Sequence, residues 1–416
     1  MRNAPASPRA RVAVSALAVT LVTAACSSPS GDPVEQYTSW DSVMTDADGQ
    51  QVSLWMWGGD DLGNSYIDDV LAPAVAEHGV TLNRIPIPDT AEAINRVLAE
   101  QQAGVSDGAV DLVWINGENF RTGVQADAWA CDWPALLPHM QYVDSDDPLM
   151  TSDFGTPVDG CEVPWHQAQY VIAYDAADVE DPPASVTELY AWVEDNPGRF
   201  TYPAPPDFTG SAFLRLAYYE AARAAGEETN MEASAPPPEA TAALWEQLRS
   251  IDDHLWRSGD TYPQDVSALN KLFADDQVSF TLTYGPATLE ALVNNGTFPD
   301  TTRVLEMEDG TLGNASFLAI PRNASHLAGA MVVANEALSP EQQLAKAQPE
   351  VWGQYSVLDT DLLPDDVAAE FAAITAGEVV PPFSVLSRNA SPELPASWVP
   401  AFEQGWREHV LERSEG

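Results

Sequence analysis

The chain has 416 residues, too many for one ordinary core, so two lobes of more than a hundred residues each are expected. Its 63 acidic side chains against 18 Lys and Arg give a formal net charge of −45. Because phosphate binding depends on Lys and Arg, this charge excludes nucleic acid as a default partner. The surplus carboxylates are interpreted as a solvated surface, and attraction of cations is the sharper alternative.

The first 25 residues have the pattern of a secretory signal peptide. Three arginines precede the apolar run 12–25, which is too short to span a bilayer, and two alanines stand before Cys26. Residues 21–26 also resemble a bacterial lipobox, which would place a lipid on Cys26 and leave residues 26–44 as a tether. Simple cleavage with full secretion is the alternative, and the polar segment 27–33 favours the tether.

Cys131 and Cys161 are the remaining cysteines. An exported protein meets an oxidising environment, so we predict a disulfide that closes a loop of about 30 residues and contributes about 3 to 4 kcal/mol. Two buried thiols are the alternative. A zinc site is disfavoured because no histidine stands at ligand spacing.

Three apolar segments predict a βαβαβ unit with a parallel sheet. The strands are expected at 52–57, 80–87 and 112–115, with helices capped by Ser65 and Asp89 between them. Ligands bind at the carboxyl edge of such sheets, although a loop that only turns the chain is an equal alternative. The candidate binding residues at the two strand ends are Trp57, Gly58, Gly59, Asp60, Asn64, Asn116, Glu118 and Asn119.

The second half of the chain repeats this arrangement of polar strand and helix ends. Trp165 opens a long strand at its polar end, and Thr209, Gly210 and Ser211 begin a helix after Phe208, where they either bind a ligand or simply cap the helix. Tyr284 ends a strand at 278–283, and Asn314 lies in the apolar segment 313–321. Further elements are expected at 186–195 (helix), 199–203 and 302–307 (strands), and 326–338, 365–374 and 397–412 (helices).

Four longer segments carry a family resemblance. The chain is similar to the extracellular solute-binding proteins of bacterial ABC importers, and within them to the YnjB-type binding proteins. The resemblance rests on 57–60, 111–120, 154–160 and 200–213, and it covers nearly the whole mature chain.

The resemblance implies an α/β, two-lobed fold of the periplasmic-binding-protein type (type II). Each lobe would have a mostly parallel sheet with helices on both faces, and two crossing segments would join them. The expected boundaries are 45–165 plus 322–416 for lobe 1, 175–312 for lobe 2, and 166–174 and 313–321 for the crossings. The resemblance also implies a monomer that captures a small-molecule solute and delivers it to ABC permease subunits, anchored at the outer face of the membrane through Cys26.

The ligand hypothesis follows from the candidate residues. The candidate clusters contain aromatic side chains and carboxylates but no Arg or Lys. This composition favours a small organic cation or polar amine as the ligand, with a neutral sugar as the next candidate. No Walker A or dinucleotide pattern occurs, so no cofactor is expected. The alternatives are a secreted hydrolase on a two-lobed scaffold, for which no nucleophile elbow is present, and an iron-binding protein using Tyr218 and Tyr219, for which helix packing is the stronger explanation.

Overall fold

The computed structural model describes Met1 and residues 33–374 and 377–412. Cys26 and the predicted signal peptide, apart from Met1, lie outside the described residues. The strands are β1 Gln51–Trp57, β2 Thr81–Ile87, β3 Leu112–Ile115, β4 Ser152–Asp153, β5 Thr156–Pro157, β6 Glu162–Gln169, β7 Val171–Asp175, β8 Phe280–Thr283, β9 Thr302–Val304, β10 Leu312–Ala319 and β11 Ser391–Pro392.

The α-helices range from four to eighteen residues. They are α1 Trp40–Ala47, α2 Asp61–Tyr66, α3 Ala72–Ala76, α4 Thr90–Gln102, α5 Glu118–Gln125, α6 Pro148–Thr151, α7 Val186–Asp195, α8 Phe208–Ala225, α9 Pro238–Asp252, α10 Val266–Ala274, α11 Pro286–Asn294, α12 Leu327–Ala337, α13 Pro340–Ala347, α14 Asp365–Ala372, α15 Phe383–Leu386 and α16 Val399–Trp406. The π-helical segments Ile67–Leu71 and Arg407–Leu411 extend α2 and α16.

Lobe 1 contains the predicted βαβαβ unit. Strand β1 pairs in parallel with β2 and β3, and β10 continues the sheet as an antiparallel neighbour of β3 and of β6. The carboxyl ends of the three parallel strands therefore meet at one edge, where the antiparallel β10 enters the sheet. The first helix begins earlier than expected, because Asp60 rather than Ser65 caps it.

Lobe 2 has a three-stranded sheet in the order β8, β7, β9, and both pairings are antiparallel. The expectation of a mostly parallel sheet therefore fails for this lobe. The predicted strand at 199–203 is also absent, since these described residues pair with no strand. Their apolar side chains pack beneath α8 instead, with the rings of Tyr202 and Phe213 4.7 Å apart.

The chain passes between two hydrophobic cores. Tyr170 separates β6 from β7, and its N–H donates to the carbonyl of Leu312 at 2.9 Å. Strand β10 begins in the second core with Leu312 and reaches the first core by Ala315. A third passage follows between Leu363 of the first core and Val379 of the second.

The C-terminal segment packs in lobe 2, whereas all of 322–416 was expected in lobe 1. Trp398, Phe402 and Trp406 are buried members of the second core. The ring of Phe402 lies 5.2 Å from that of Tyr218, and the Trp406 indole donates to the Tyr202 hydroxyl at 2.9 Å. An amphipathic pattern predicts that a helix buries one face but not which lobe covers it, which explains the wrong boundary.

The N-terminal part of the described chain also differs from the expectation. The predicted tether extended to residue 44, but Val34 and Val43 are buried in the core of lobe 1. Ser39 and Ser42 form a capping box at the start of α1, which packs against α12. Any tether therefore ends before residue 34.

Cys131 and Cys161 form a disulfide with an S–S distance of 1.95 Å. The bond joins the loop after α5 to the residue that precedes β6. Both cysteines pack against the core of lobe 1. The disulfide therefore encloses the β4–β5 hairpin, which contributes to the site described below.

Candidate functional site

The glycines after β1 are required by packing. A Cβ atom on Gly58 would lie 2.7 Å from the Cβ of Pro86, and one on Gly59 would lie 2.3 Å from the ring of Trp57. The N–H of Gly58 donates to the carbonyl of Ile87 at 3.0 Å. The two glycines let the turn lie against its neighbours, with the Trp57 ring folded over Gly59.

Asp60 and Asn64 are engaged within lobe 1. Asp60 accepts a hydrogen bond from the first turn of α2 at 3.0 Å and another from the indole of Trp352 at 2.6 Å. Asn64 donates to the carbonyl of Gly58 and accepts from Arg84, both at 2.9 Å. Burial raises the pKa of Asp60 above its ordinary value. These two predicted ligand residues hold the turn after β1 in place.

Trp165 lies in the core of lobe 1 instead of at the cleft. Its ring forms a four-ring cluster with Trp114, His166 and Trp352, in which all six centroid distances fall between 5.2 and 6.0 Å. Such short separations in every direction leave no room for a solute among the rings. We call these four residues the aromatic cluster.

Two titratable groups lie in or beside the aromatic cluster. Lys346 is fully buried, donates to the carbonyl of Trp165, and lies 5.6 Å from the centroid of that ring. His166 pairs through Nε2 with the hydroxyl of Ser316 at 2.9 Å. Burial lowers the pKa of both groups, and the charge of Lys346 lowers the pKa of His166 further. The cluster is therefore a packed region that favours uncharged side chains.

The start of α5 presents the predicted residue Glu118. Gly117 has φ +63°, a backbone conformation that favours glycine, and its N–H donates to Asp153 at 2.8 Å. Burial raises the pKa of Glu118 to about 7, and the negative charges of Glu403, Asp89 and Glu393 contribute in the same direction while Arg215 opposes them. Asn116 and Asn119 flank this position and are partly exposed.

The start of α8 forms the facing wall in lobe 2. Asp207 caps the helix by accepting from the N–H of Gly210 at 2.8 Å. A Cβ atom on Gly210 would lie 2.0 Å from the carbonyl oxygen of Pro203, so the turn is closely packed. Thr209 and Ser211 are buried, and the carbonyl of Thr209 accepts from Tyr170 at 3.3 Å. Capping and packing therefore explain most of this segment.

Arg215 is the central residue that the sequence analysis missed. It lies within α8, is 1% exposed, and binds Glu393 through two hydrogen bonds of 2.6 and 3.0 Å. It also donates to the hydroxyl of Ser211 at 2.9 Å. The hydroxyl of Tyr284 donates to the same carboxylate. The available signal in the sequence was that Arg215 is the one charged residue in the run 212–219 of α8.

Arg215 lies where the two lobes meet. Its guanidinium carbon is 5.2 Å from the ring centroid of Phe154, in lobe 1, and 5.7 Å from that of Phe208, in lobe 2. The Phe208 ring lies 6.3 Å from Phe154 and 5.3 Å from Tyr284. Phe208 is 41% exposed, so one side of this aromatic group remains open to solvent.

Carboxyl groups from both lobes interact electrostatically near Arg215. We call Asp89, Glu118, Asp153, Glu393 and Glu403 the interlobe acidic cluster, since each is coupled electrostatically to at least one other member. Three come from lobe 1, while Glu393 and Glu403 come from the C-terminal segment that packs in lobe 2. Glu403 accepts a hydrogen bond from Ser211, and burial raises its pKa. Three of the five, Glu118, Glu393 and Glu403, interact with the Arg215 guanidinium, and Arg407 also acts on Glu403.

The structure therefore divides the predicted site residues into two groups. Glu118, Phe208, Ser211 and Tyr284 converge around Arg215, whereas Trp165 belongs to the aromatic cluster. Asn314 is also outside the cleft wall, because it is buried within β10 opposite Ala168. Among the described residues, no group of three His, Cys, Asp or Glu side chains has the arrangement of a metal site.

A separate cavity of about 310 Å³ is lined by residues of both lobes, including Leu358 of the first core and Val380 of the second. Its lining includes Gln167 and the stacked rings of Tyr355 and Phe383, which are 4.0 Å apart. The side chain of Gln167 already donates to the carbonyl of Ser356 at 2.8 Å, and Glu290 accepts from two backbone N–H groups. No member of the interlobe acidic cluster lines this cavity.

Comparison with known proteins gives the family. Residues 70–373 match the model of the bacterial extracellular solute-binding proteins. The chain belongs to this family. It is 36% identical to the protein YnjB of Escherichia coli over 372 residues, which is 89% of this chain and 93% of that protein.

Solved structures of ABC transporter substrate-binding proteins share the fold of this chain. The spermidine/putrescine ABC transporter substrate-binding protein PotD of Streptococcus pneumoniae superposes with a TM-score of 0.62 at 12% identity, over 86% of this chain and 98% of PotD. An ABC transporter substrate-binding protein of Bradyrhizobium japonicum gives 0.63 at 17% identity, over 87% and 99%. The predicted periplasmic-binding-protein fold is thereby confirmed, and solute binding is the family's function. Within the described residues, no helix combines the length and apolar character that a membrane span needs.

Proposed function

We propose that the protein is the solute-binding subunit of an ABC importer and that its solute is a small organic cation or polar amine held between the lobes. The observation that carries this proposal is the interlobe acidic cluster, in which five carboxyl groups outnumber the two arginines that act on them, Arg215 and Arg407. Arg215 is already paired with Glu393. An anionic solute would meet net repulsion in this place, whereas a cation would offset it.

The two walls suggest how a cation couples to closure. Glu118 lies on lobe 1 and Glu403 on lobe 2, and the negative charge of Glu403 raises the pKa of Glu118. A cation between them would turn this repulsion into two attractions. At an effective dielectric constant of about 20, one such contact at about 4 Å amounts to roughly 4 kcal/mol. The exposed face of Phe208 adds a cation–π surface. Spermidine and putrescine, after which the structural neighbour PotD is named, are amines of this class.

The other parts of the proposal concern attachment and chemistry. Residues 21–26 support a lipid anchor on Cys26 that holds a monomer at the outer face of the membrane, where permease subunits receive the solute. Membership in a solute-binding family supports binding without turnover. Iron binding is not favoured, because Tyr218 is buried in the core of lobe 2 and no three-residue metal group occurs in the described ranges.

Calorimetry and thermal shift with a small panel test the proposal. Putrescine, spermidine and thiamine represent cations, glucose a neutral solute, and citrate an anion. We expect stabilisation by at least one cation, which follows from RT ln(1 + [L]/Kd), and none by citrate. Glu118→Gln and Glu403→Gln should each weaken binding of that cation by about tenfold or more, since one lost charge contact exceeds about 1.4 kcal/mol.

The matched control is Glu194→Gln, which removes an exposed carboxylate on α7 and should leave the affinity unchanged. Stabilisation by citrate alone would contradict the proposal. An unchanged cation affinity in both Glu118→Gln and Glu403→Gln would also contradict it.

A further inference from the structure

Two buried carboxyl groups have oxygens without hydrogen-bond partners among the described residues. Asp153 is 0% exposed and Glu162 is 2% exposed. One oxygen of Asp153 and both oxygens of Glu162 accept no hydrogen bond from any described residue. Buried polar atoms are almost always bonded, so these three oxygens need a further partner.

The position of Asp153 links these groups to the cleft. Its other oxygen accepts from the N–H of Gly117 at 2.8 Å, and Gly117 directly precedes Glu118. The next residue, Phe154, contacts Arg215 from lobe 2, and its carbonyl accepts from the N–H of Ala396 at 2.9 Å. Asp153 therefore supports the turn that presents Glu118.

The charges around the pair indicate which ligand it takes. The groups that act on Asp153 are Glu118 and Glu393, and the group that acts on Glu162 is Asp153. All of them are acidic, and a metal would need more ligands than two carboxyl groups, which agrees with the absence of metal groups in the described chain. A buried carboxylate without a cation binds a proton instead. Burial raises the pKa of Asp153 to about 8 and that of Glu162 well above its ordinary value.

We propose that Asp153 and Glu162 form a buried proton-binding site that positions Glu118 and makes cation capture depend on pH. The part concerning capture rests on the proposed function, whereas the proton site itself does not. Below about pH 8 the Asp153 carboxyl is neutral and its carbonyl oxygen holds the N–H of Gly117. When Asp153 loses its proton, a second negative charge stands beside Glu118 and strengthens the attraction for a cation.

The proton site is tested without any solute. In protein with 13C-labelled carboxyl groups, we expect the Asp153 signal to titrate near pH 8 and the Glu162 signal to titrate well above the ordinary pKa of a glutamate. Asp153→Asn should lower the midpoint of Glu162, because it removes the neighbouring negative charge. An Asp153 midpoint at its ordinary value, near 4, would overturn the proposal.

The coupling to capture is tested with putrescine at about pH 6 and about pH 9, on either side of the Asp153 titration. Asp153→Asn keeps the oxygen that accepts from Gly117. It should bind like the wild type at the lower pH and about threefold to tenfold more weakly at the higher pH. Asp195→Asn, an exposed control on α7, should change neither value.

The remaining outcomes separate the two proposals. Equal weakening at both pH values would show a merely structural role for Asp153, and equal affinities at the higher pH would show no coupling. Either result overturns the inference. If putrescine fails to bind at both pH values while Asp153 still titrates near pH 8, the proposed solute class fails and the proton site stands.

Discussion

The interlobe acidic cluster and the aromatic cluster both include residues at or near strands of lobe 1, yet they differ in packing and in charge. In the aromatic cluster four rings lie within 5.2 to 6.0 Å of one another, and burial lowers the pKa values of its member His166 and of the adjacent Lys346. In the acidic cluster the carboxyl groups come from both lobes, and burial raises the pKa values of Glu118, Asp153 and Glu403. The proposed binding site therefore differs from the core of lobe 1 by its unpaired carboxyl groups, whereas both regions contain aromatic side chains.

The largest expected effect comes from breaking the one ion pair inside the acidic cluster. Glu393→Ala leaves the buried Arg215 without its carboxylate, and we expect a loss of about 3 to 5 kcal/mol in the free energy of unfolding. Urea denaturation measures it. The control is Asp309→Ala, which removes the exposed ion pair between Asp309 and Arg223, whose side chains are 50% and 52% exposed respectively. We expect it to lower the free energy of unfolding by less than about 1 kcal/mol. Equal costs for the two variants would show that the buried pair has no special weight.

A change in the aromatic cluster should affect stability alone. Trp352→Phe loses the hydrogen bond to Asp60 and leaves that buried carboxyl short of a donor. We expect a destabilisation of about 1 to 3 kcal/mol and a cation affinity within about twofold of the wild type. If calorimetry instead showed a large loss of affinity, the cluster would belong to the binding site after all.

The pH dependence sharpens the comparison further. Since the pKa of Glu118 is raised to about 7, cation affinity should fall below that pH by up to about tenfold per unit, and Glu118→Gln should abolish this slope. The unfolded chain releases this proton at its ordinary pKa, so the solute-free protein should lose stability as pH rises from about 4.5 to about 7. A stability that increased over this range in the wild type and not in Glu118→Gln would show the opposite shift.

The smallest effect is expected at the exposed aromatic face. Phe208→Ala should weaken cation binding by about 0.5 to 1 kcal/mol, a factor of about two to five, and should change the free energy of unfolding little because the ring is 41% exposed. Phe208→Leu retains the apolar surface but not the π face, so it serves as the matched variant. Full affinity in Phe208→Leu would assign the contribution to apolar contact.

The sequence predicted the elements of lobe 1 well because they depend on local pattern. The strand at 112–115 and the Asp89 cap are where the apolar runs and capping residues placed them. Lobe assignment failed for 379–410, since an amphipathic helix specifies only that one face is covered. Trp165 was misplaced because a tryptophan at a strand start is equally compatible with a cleft and with a core.

Arg215 shows a second limit. Its significance depends on Glu393, which is 178 residues away in the chain, and on Phe154 from the other lobe. No spacing rule connects positions so distant. Asp153 could not be identified from the sequence for the same reason. Among 63 acidic residues, it is distinguished only by its burial and by the oxygen that has no hydrogen-bond partner in the described structure.

The near absence of lysine has a practical consequence. The chain has two lysines, and Lys346 is fully buried in the core of lobe 1 while the side chain of Lys271 on α10 is 76% exposed. An amine-reactive dye should therefore label one side-chain position on lobe 2 of the folded protein. The same reagent would acylate Lys346 only in molecules whose lobe 1 has locally unfolded. The rate of Lys346 modification would therefore measure local unfolding of lobe 1 without any change to the cleft residues.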